Sequence, residues 1–573
     1  MTGAETDQHR RARIVLIGGT ALLALLRGWA ALRADGMTSL PDEIGFLGDA
    51  WLVGRGQPAP PMAFSPLYPG TYPLILAPVA AVVDDIDAQL TIARLVNVAL
   101  LAALVPAVWA LLGRWGRLAP MPRAVVALAA SALPGLSVAA LRAWPDVFLA
   151  LGWVLALLAL SALARPGPLP RRVWFGPLVG ILAAAHARFT PVLVLAALVL
   201  VLRLVAPPRD ERTTGRQADV LNLAGLVVAT VLGRVVDGIV EARWSRVAPS
   251  AAERLRDEPG RVFGDLAPSL VGQTWFAVVA TCGTAAIGAV VAVRLAAPAA
   301  RRGRALWCEP VPLLASVALL GAVGVQLATA VQIRGGEVLG TTAFDLLANG
   351  RYQDVVLVPL VALGLGSLVR RSPGPIGLEV GVALAALATA VMVYSRLDDP
   401  AFVVDPAFVA AWNDDDVIRY GVFVPTVAVL VVLAATVLLR RTLRVGLVPL
   451  LVLTVFVGVG FDRSERLVDA SSETDAMAPD VSDVREVLDG ERVAFAYENR
   501  TLWATILIGW ALAEEGVEAY PSGETPPERF VIAPVGDDGQ PDVAGLEGAE
   551  RRADIPPSGA VGYPLALWEL PES

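Results

Sequence analysis

Two adjacent acids, Asp42 and Glu43, follow Pro41 just after an apolar stretch, and Phe46, Asp49 and a Gly54-Arg55-Gly56 turn come soon after. Two carboxylates side by side at such a place can serve as a general base and a metal ligand. Their plainer use is at a helix start, where Asp42 and Glu43 satisfy free N–H groups. Asp146 closes the segment Arg142-Ala-Trp-Pro-Asp146 and has the same two uses, helix cap or working acid. His186-Ala-Arg188-Phe-Thr-Pro191 lies deep in apolar sequence. An arginine there is costly unless paired, so Arg188 can hold a phosphate bidentately, with His186 as a donor or metal ligand. Snorkelling of Arg188 to the interface is the ordinary alternative. Asn349-Gly-Arg351-Tyr352 sets another guanidinium and a phenol before an apolar run, where they can bind an anion or anchor the interface.

These groups need elements to hold them, and the composition says which kind. The chain has 573 residues, 55% apolar and only 17% charged, with a mean hydropathy of +0.61. A soluble globular chain carries roughly 25% charged residues, so a single soluble domain and disorder are both excluded. Apolar runs near 14–32, 88–113, 122–140, 146–164, 173–190, 191–207, 219–240, 271–294, 311–332, 353–369, 375–394, 418–439 and 445–461 are long enough to span a bilayer. That predicts about thirteen membrane helices, the first of them uncleaved.

The arginines fix the expected orientation. With residues 1–13 cytoplasmic, alternate loops carry Arg114, Arg117 and Arg123; Arg165, Arg171 and Arg172; Arg203, Arg209, Arg212 and Arg216; Arg294, Arg301, Arg302 and Arg304; Arg370 and Arg371; Arg440, Arg441 and Arg444. All fall on one side, as the positive-inside bias requires. The opposite loops are acid-rich: Asp42 and Glu43, Asp84, Asp85 and Asp87, Asp398 and Asp399, Asp414 to Asp416. Asp146, Arg188 and Arg351 fall on that same external face. Arg234, Asp237 and Glu241 also fall there, at a helical spacing that mutual pairing explains.

The formal charge of −8 divides in two. Residues 462–573 carry 8 basic and 24 acidic side chains, and the preceding 461 carry 38 and 30. A basic membrane body of residues 14–461 thus precedes an acidic tail, which an odd span count puts outside. Every basic residue of the body is arginine, since the chain has no lysine. Any anion is therefore held by guanidinium, histidine or backbone. The tail predicts a small α/β domain, with strands at 492–497 and 529–535, a helix at 502–515 and a linker at 470–483. Its charge argues against nucleic acid as a partner and against docking on anionic lipid. The two cysteines and two histidines make neither a disulfide framework nor a structural zinc site.

The first external loop, 33–87, is long and aromatic-rich. Its apolar segment 71–83 is about 20 Å long as a helix, too short for a core of about 30 Å, and predicts an interfacial or re-entrant helix. Acids and arginines from distant segments gather on the face that this loop covers. Such a mixed pocket suits a lipid phosphate carrying a polar group for transfer.

The order of residues from Pro41-Asp42-Glu43 through Asp49-Ala50, Gly54-Arg55-Gly56, Ser65-Pro66-Leu67-Tyr68 and Pro73 to Ala93-Arg94-Leu95-Val96-Asn97 resembles the first external loop and second span of GT-C glycosyltransferases. The protein-mannosyltransferase and aminoarabinose-transferase-like branch is the most similar. Asp146 is similar to its second external acid, the segment 180–188 to the one ending in a basic residue, and Gly350-Arg351-Tyr352 with Pro359 to its late Arg-Tyr element. Residue 188 is Arg where that branch commonly has Lys. The resemblance covers roughly residues 14–370 and is architectural beyond.

It implies a GT-C-like multi-pass α-helical protein of the cell membrane, with an extracytoplasmic C-terminal α/β domain. The implied reaction is inverting sugar transfer on the external face, from a polyprenyl-phosphate-linked donor to a hydroxyl of a glycan, lipid or protein. Asp42 would be the base, Glu43 its support or a metal ligand, and Asp146 a further catalytic acid. Arg188 and Arg351, with His186 or Tyr352, would hold the donor phosphate. A divalent metal, with Glu43 and His186 as ligands, is left open. Two alternatives stand beside this reading: a multi-pass transporter or lipid flippase, and a non-catalytic scaffold of the same fold. The first usually shows internal repeats and midplane charges, which this sequence lacks.

Overall fold

The computed structural model describes residues 3–34, 36, 40–56, 71–116, 118–207, 214–241, 259–301, 306–333, 351–369, 377–394, 426–427, 429–435, 438, 447–477, 480–497, 508, 512, 517–521, 523, 525–536, 538–556 and 564–571. Contacts divide the chain into two compact units. One comprises Met1–Ala31, Arg94–Val235 and Pro249–Glu465; the other comprises Leu32–Ala93, Val236–Ala248 and Arg466–Ser573. By contacts the first loop and the tail fall in the second of these units.

The helices in order are α1 Gly3–Arg33, α2 Leu40–Arg55, α3 Pro73–Val82, α4 Ile86–Trp115, α5 Pro120–Ser131, α6 Pro134–Ala139, α7 Asp146–Leu163, α8 Phe175–Ala185, α9 Thr190–Val205 and α10 Thr214–Glu241. There follow α11 Pro259–Ala280, α12 Thr284–Arg301, α13 Pro310–Ile333, α14 Arg351–Val369, α15 Gly377–Tyr394, α16 Val448–Met477 and α17 Ser482–Leu488. Among the described residues six of these are long and apolar enough to cross a bilayer, and the bent pair α11–α12 makes a seventh if it is one span. The chain is a multi-pass helical membrane protein. Its lipid-facing character shows in α1, where Ile14, Ile17, Leu22, Leu25, Trp29 and Leu32 stay exposed although apolar, and water would penalise that face.

Several expected spans hold nearly to the residue, such as 146–164 and 311–332. Three do not. The run 122–140 breaks at Ala132-Leu133 because Pro134 cannot donate a helical hydrogen bond and instead opens α6. The run 173–190 stops at Ala185: His186 is extended at φ −161° and ψ 130°, a 3-10 turn Ala187–Phe189 follows, and Pro191 opens α9. The run 271–294 is two helices bent by 104°, where Cys282 and Gly283 take φ 49° and 76°. A left-handed pair ends one helix and re-aims the next, and Gly283 does this at little cost. The linker expected at 470–483 is mostly helix, since α16 runs on to Met477. The span at 418–439, the helix at 502–515, and Asp398, Asp399 and Asp414 to Asp416 lie largely or wholly outside the described residues.

Close helix contact depends on small residues. On α12 a Cβ at Gly288 would meet the Leu360 carbonyl oxygen of α14 at 1.9 Å, and one at Gly364 of α14 would meet the Thr284 oxygen at 2.0 Å. Backbones touch there, as they do in tightly packed membrane helices. Gly288→Ala should force α12 and α14 apart and cost about 1–3 kcal/mol as overpacking. Thermal unfolding in detergent checks this, and a variant as stable as the parent would refute the contact.

The tail forms a five-stranded sheet in the order β2-β1-β3-β5-β4, from β1 Val493–Tyr497, β2 Val517–Pro521, β3 Phe530–Pro534, β4 Glu550–Ile555 and β5 Leu565–Glu569. β1 runs parallel to β2 and β3, while β5 is antiparallel to β3 and β4. Val484 and Leu488 of α17 pack with Phe495, Ile532 and Leu567 on one face, and Trp568 covers Val531 and Ala533 on the other. The two expected strands, 492–497 and 529–535, are β1 and β3 within a residue.

Candidate active site

The first loop, in the unit it shares with the tail, is built on α2 and α3. Gly54 lets α2 lie directly on α3, since a Cβ there would sit 2.5 Å from the Ala77 carbonyl oxygen. Arg55 closes the pair. It donates from Nε to the Ala80 oxygen at 2.5 Å and from a terminal nitrogen to the Val83 oxygen at 2.9 Å, it pairs with Asp84 at 2.7 Å, and its guanidinium lies 4.0 Å over the Trp51 ring. These carbonyls are the ones a helix end leaves without internal partners. Phe46 meets Tyr72 edge-on at 5.4 Å. The short helix expected at 71–83 is thus α3, pinned to α2.

α2 begins before the acid pair, so Asp42 and Glu43 lie in its first turn. The Asp42 side chain lies outside what the structure describes. Glu43 and Asp49 are fully buried. A buried glutamate is not a solvated cap, and burial without compensation would be expensive.

In the other unit the loop before α7 is clamped from α4. Asn97 donates from Nδ2 to the backbone oxygens of Arg142 and Trp144 at 2.7 and 2.9 Å. The Arg142 guanidinium stacks 4.2 Å over the Trp144 ring. This fixes where α7 starts, and with it Asp146 on the first helical residue. Its Oδ1 accepts from Nη2 of Arg188 at 2.8 Å, with both side chains almost wholly buried. Arg188 reaches it from the 3-10 turn that ends α8, and that turn has its own cap: His186 Nδ1 accepts the Arg188 backbone N–H at 3.2 Å. Phe189 packs edge-on against Trp153 at 6.4 Å, holding the turn to α7.

The structure therefore brings together three residues singled out from sequence, Asp146, His186 and Arg188, in one buried constellation. It gives Arg188 a carboxylate partner on one edge of its guanidinium, which the expectation of a phosphate did not include. Arg351 and Tyr352 open α14, but their side chains lie outside what is described. Among the described residues no three His, Cys, Asp or Glu side chains gather as a metal site, and His186 already uses Nδ1.

Sequence reasoning missed three residues. Asp354 sits in the first turn of α14, is 4% exposed, and its carboxylate lies against Gly135 of α6, where a Cβ would be 1.7 Å from Oδ2. Its signal was available, since an acid at the head of an apolar run is what drew notice to Asp146. Asn97 was visible only as part of a motif and not as a clamp. Apart from this constellation, Arg27 lies buried in α1 and donates to the Gly460 oxygen of α16 at 2.6 Å and to the Ser464 hydroxyl. One arginine within a span is easily read as part of the run.

A second buried ion pair, Arg203 with Asp219 at 2.9 Å, shows what a purely structural tie looks like. Arg203 also donates to the backbone oxygens of Trp307 and Leu163 at 2.9 and 3.4 Å, so its charge and its donors are met by a balanced set.

No known family profile matches the chain, and no curated protein matches it by sequence. Two solved structures of ArnT from Cupriavidus metallidurans, one bound to undecaprenyl phosphate and one in the apo state, are similar in fold. Each has a TM-score of 0.52 and 16% identity, covering 96% of this chain and 97% of its own. A looser likeness, TM-score 0.43 and 13% identity, covers 81% of this chain and 43% of arabinosyltransferase EmbB from Mycobacterium smegmatis. The fold over nearly the whole chain is thus that of the two ArnT structures, the architecture that the sequence resemblance implies.

Proposed function

We propose that this chain, with the fold of ArnT, is a membrane glycosyltransferase that moves a sugar from a polyprenyl-phosphate-linked donor to a hydroxyl acceptor on the external face. One observation carries the reading: on this fold, in a lysine-free chain, an acid and a guanidinium from distant segments form a buried pair where the external ends of the helices are expected. ArnT's own structure holds undecaprenyl phosphate, which supports a lipid-linked donor. Thirteen spans, a cytoplasmic N-terminus and an extracytoplasmic tail complete the proposal and rest on the arginine distribution.

Transfer is inverting. Asp42 takes the proton of the acceptor hydroxyl as its oxygen attacks the anomeric carbon, with Glu43 supporting that carboxylate. The bond from that carbon to the phosphate oxygen breaks on the opposite side, and polyprenyl phosphate leaves with the electron pair. Arg351 and Tyr352 meet the phosphate charge as it grows. Arg188, which already holds Asp146 on one edge of its guanidinium, joins them with His186 at the phosphate. Phosphate is a good leaving group, so no strong general acid is needed, unlike the paired-carboxylate hydrolases.

The test is the full chain in proteoliposomes supplied with polyprenyl-phosphate sugars and, separately, with nucleotide sugars. Release of polyprenyl phosphate with glycosylated acceptor from the lipid donor alone is expected. Transfer from nucleotide sugars only, or substrate movement across the vesicle wall without transfer, overturns the proposal; the second result would favour a transporter.

A further inference from the structure

Arg27 interrupts the apolar run of α1 six residues before its end, which sets it roughly 9 Å from Arg33 along the helix. It does not snorkel out to water, since it is 1% exposed. α16 receives it: Nη1 donates to the Gly460 carbonyl oxygen at 2.6 Å and to the Ser464 hydroxyl. A Cβ at Gly460 would lie 2.7 Å from Nη2 of Arg27 and 3.4 Å from Oγ of Ser137 in α6, so the bare glycine lets those two groups converge. Nε and Nη2 of Arg27 and Oγ of Ser137 are buried and hydrogen-bond to nothing among the described residues. Nε and Nη2 form one edge of the guanidinium, the fork that takes two phosphate oxygens at once. Arg188 and Arg203 each hold a buried carboxylate, at 2.8 and 2.9 Å. Arg27 is buried as deeply on a carbonyl and a hydroxyl, which is costly in apolar surroundings and favours an anion beside it.

One helical turn from this group lies an apolar slot of about 90 Å³, lined by Leu22, Leu23, Leu26, Leu128, Leu453 and Val457. Leu23 precedes Arg27 by four residues and Val457 precedes Gly460 by three, so slot and guanidinium share the same faces of α1 and α16. Leu22 is 59% exposed, which opens the slot to the lipid side of α1. We propose that a bilayer phospholipid binds between α1, α5, α6 and α16, with an acyl chain in the slot and its phosphate on Arg27 and Ser137. The opening toward lipid favours a bilayer lipid over the transferred donor, whose phosphate is assigned elsewhere, to Arg351, Tyr352 and Arg188. The site does not rest on the transferase reading, and a chain that transfers nothing would leave it standing.

The full chain, stripped of lipid in a neutral detergent, tests this through its thermal unfolding midpoint and the Kd for dioctanoyl phosphatidic acid. Dioctanoylglycerol supplies the chains alone, and inorganic phosphate the anion alone. At about 100 times its Kd the phosphatidic acid should raise the midpoint by several degrees, while neither half moves it by more than about one degree. Arg27→Met should weaken binding at least about 30-fold, since it removes the charged fork. Val457→Phe, which fills the slot, should weaken it about tenfold. Ser137→Ala removes a hydroxyl without a protein partner, so it should weaken binding about three- to tenfold and leave the lipid-free midpoint within about one degree. An equal shift from dioctanoylglycerol or from inorganic phosphate overturns the proposal, as does a Kd in Arg27→Met within about threefold of the parent. Should Arg27→Met fail to fold, unchanged affinity in both Ser137→Ala and Val457→Phe overturns it instead. Polyprenyl phosphate that shifts the parent but not Arg27→Met, with phosphatidic acid inert, would place the transferred lipid here and overturn the assignment to a bilayer phospholipid.

Discussion

Replacing Asp42 by Asn in the reconstituted chain should lower sugar transfer about 10²- to 10⁴-fold, the range that a positioned general base contributes. An amide cannot accept the acceptor's proton, yet it matches the carboxylate in shape, so α2 and its packing on α3 should persist. Binding of the lipid-phosphate donor should be retained, because the phosphate is assigned to Arg351, Tyr352, Arg188 and His186 and not to Asp42. The informative pair of measurements is therefore initial rate against donor affinity. A variant within a few-fold of the parent rate removes Asp42 from the role of base. A variant that loses donor affinity in the same proportion as rate would mean that Asp42 serves to bind.

The second large effect concerns stability. Arg188→Ala should destabilise the membrane body by about 3–5 kcal/mol, since it leaves Asp146 buried without its guanidinium. The two side chains are 1% and 2% exposed, so solvent screening does little to soften the loss. Removing both partners, Arg188→Ala with Asp146→Ala, should recover much of that stability without recovering transfer. Unfolding in detergent checks both statements. A single variant within about 0.5 kcal/mol of the parent, the range of an ordinary surface substitution, would show the pair to be energetically idle.

How much of this was legible in the sequence depends on the kind of signal. Apolar run length found most of the helices, because the bilayer leaves the chain no other way to satisfy its backbone. It failed at Pro134, at His186 to Pro191 and at Thr281 to Gly283, where the run stays apolar while the backbone turns. Hydropathy measures what a segment touches; the bends are set by proline's missing N–H and by a left-handed Cys282-Gly283 pair. In the tail, alternation revealed β1 and β3, both at the sheet centre, and missed β2, β4 and β5. β4 has the sequence Glu-Arg-Arg-Ala-Asp-Ile and is largely exposed, so no apolar periodicity marks it.

The site divides in the same way. Asp146 and Arg188 were marked by the expense of charge in apolar sequence, but their partnership spans 42 positions, and no local pattern encodes it. Asp354 carried the same mark and was passed over beside the more conspicuous Arg351-Tyr352. Gly135 carried no mark: what distinguishes it is the carboxylate above it, which only the fold supplies.

The Asp146–Arg188 pair also bears on how the chain is made. Asp146 begins α7, and Arg188 lies just past the end of α8. Each charge alone would be expensive to carry toward hydrocarbon, and each becomes tolerable once the other is beside it. The hairpin of α7 and α8 is therefore inserted at least cost as one unit, with the two charges already beside each other. The connection at Leu169–Arg171 is short, which keeps the two within reach. A variant that breaks the pair should therefore also insert less efficiently, which its yield in the membrane would show.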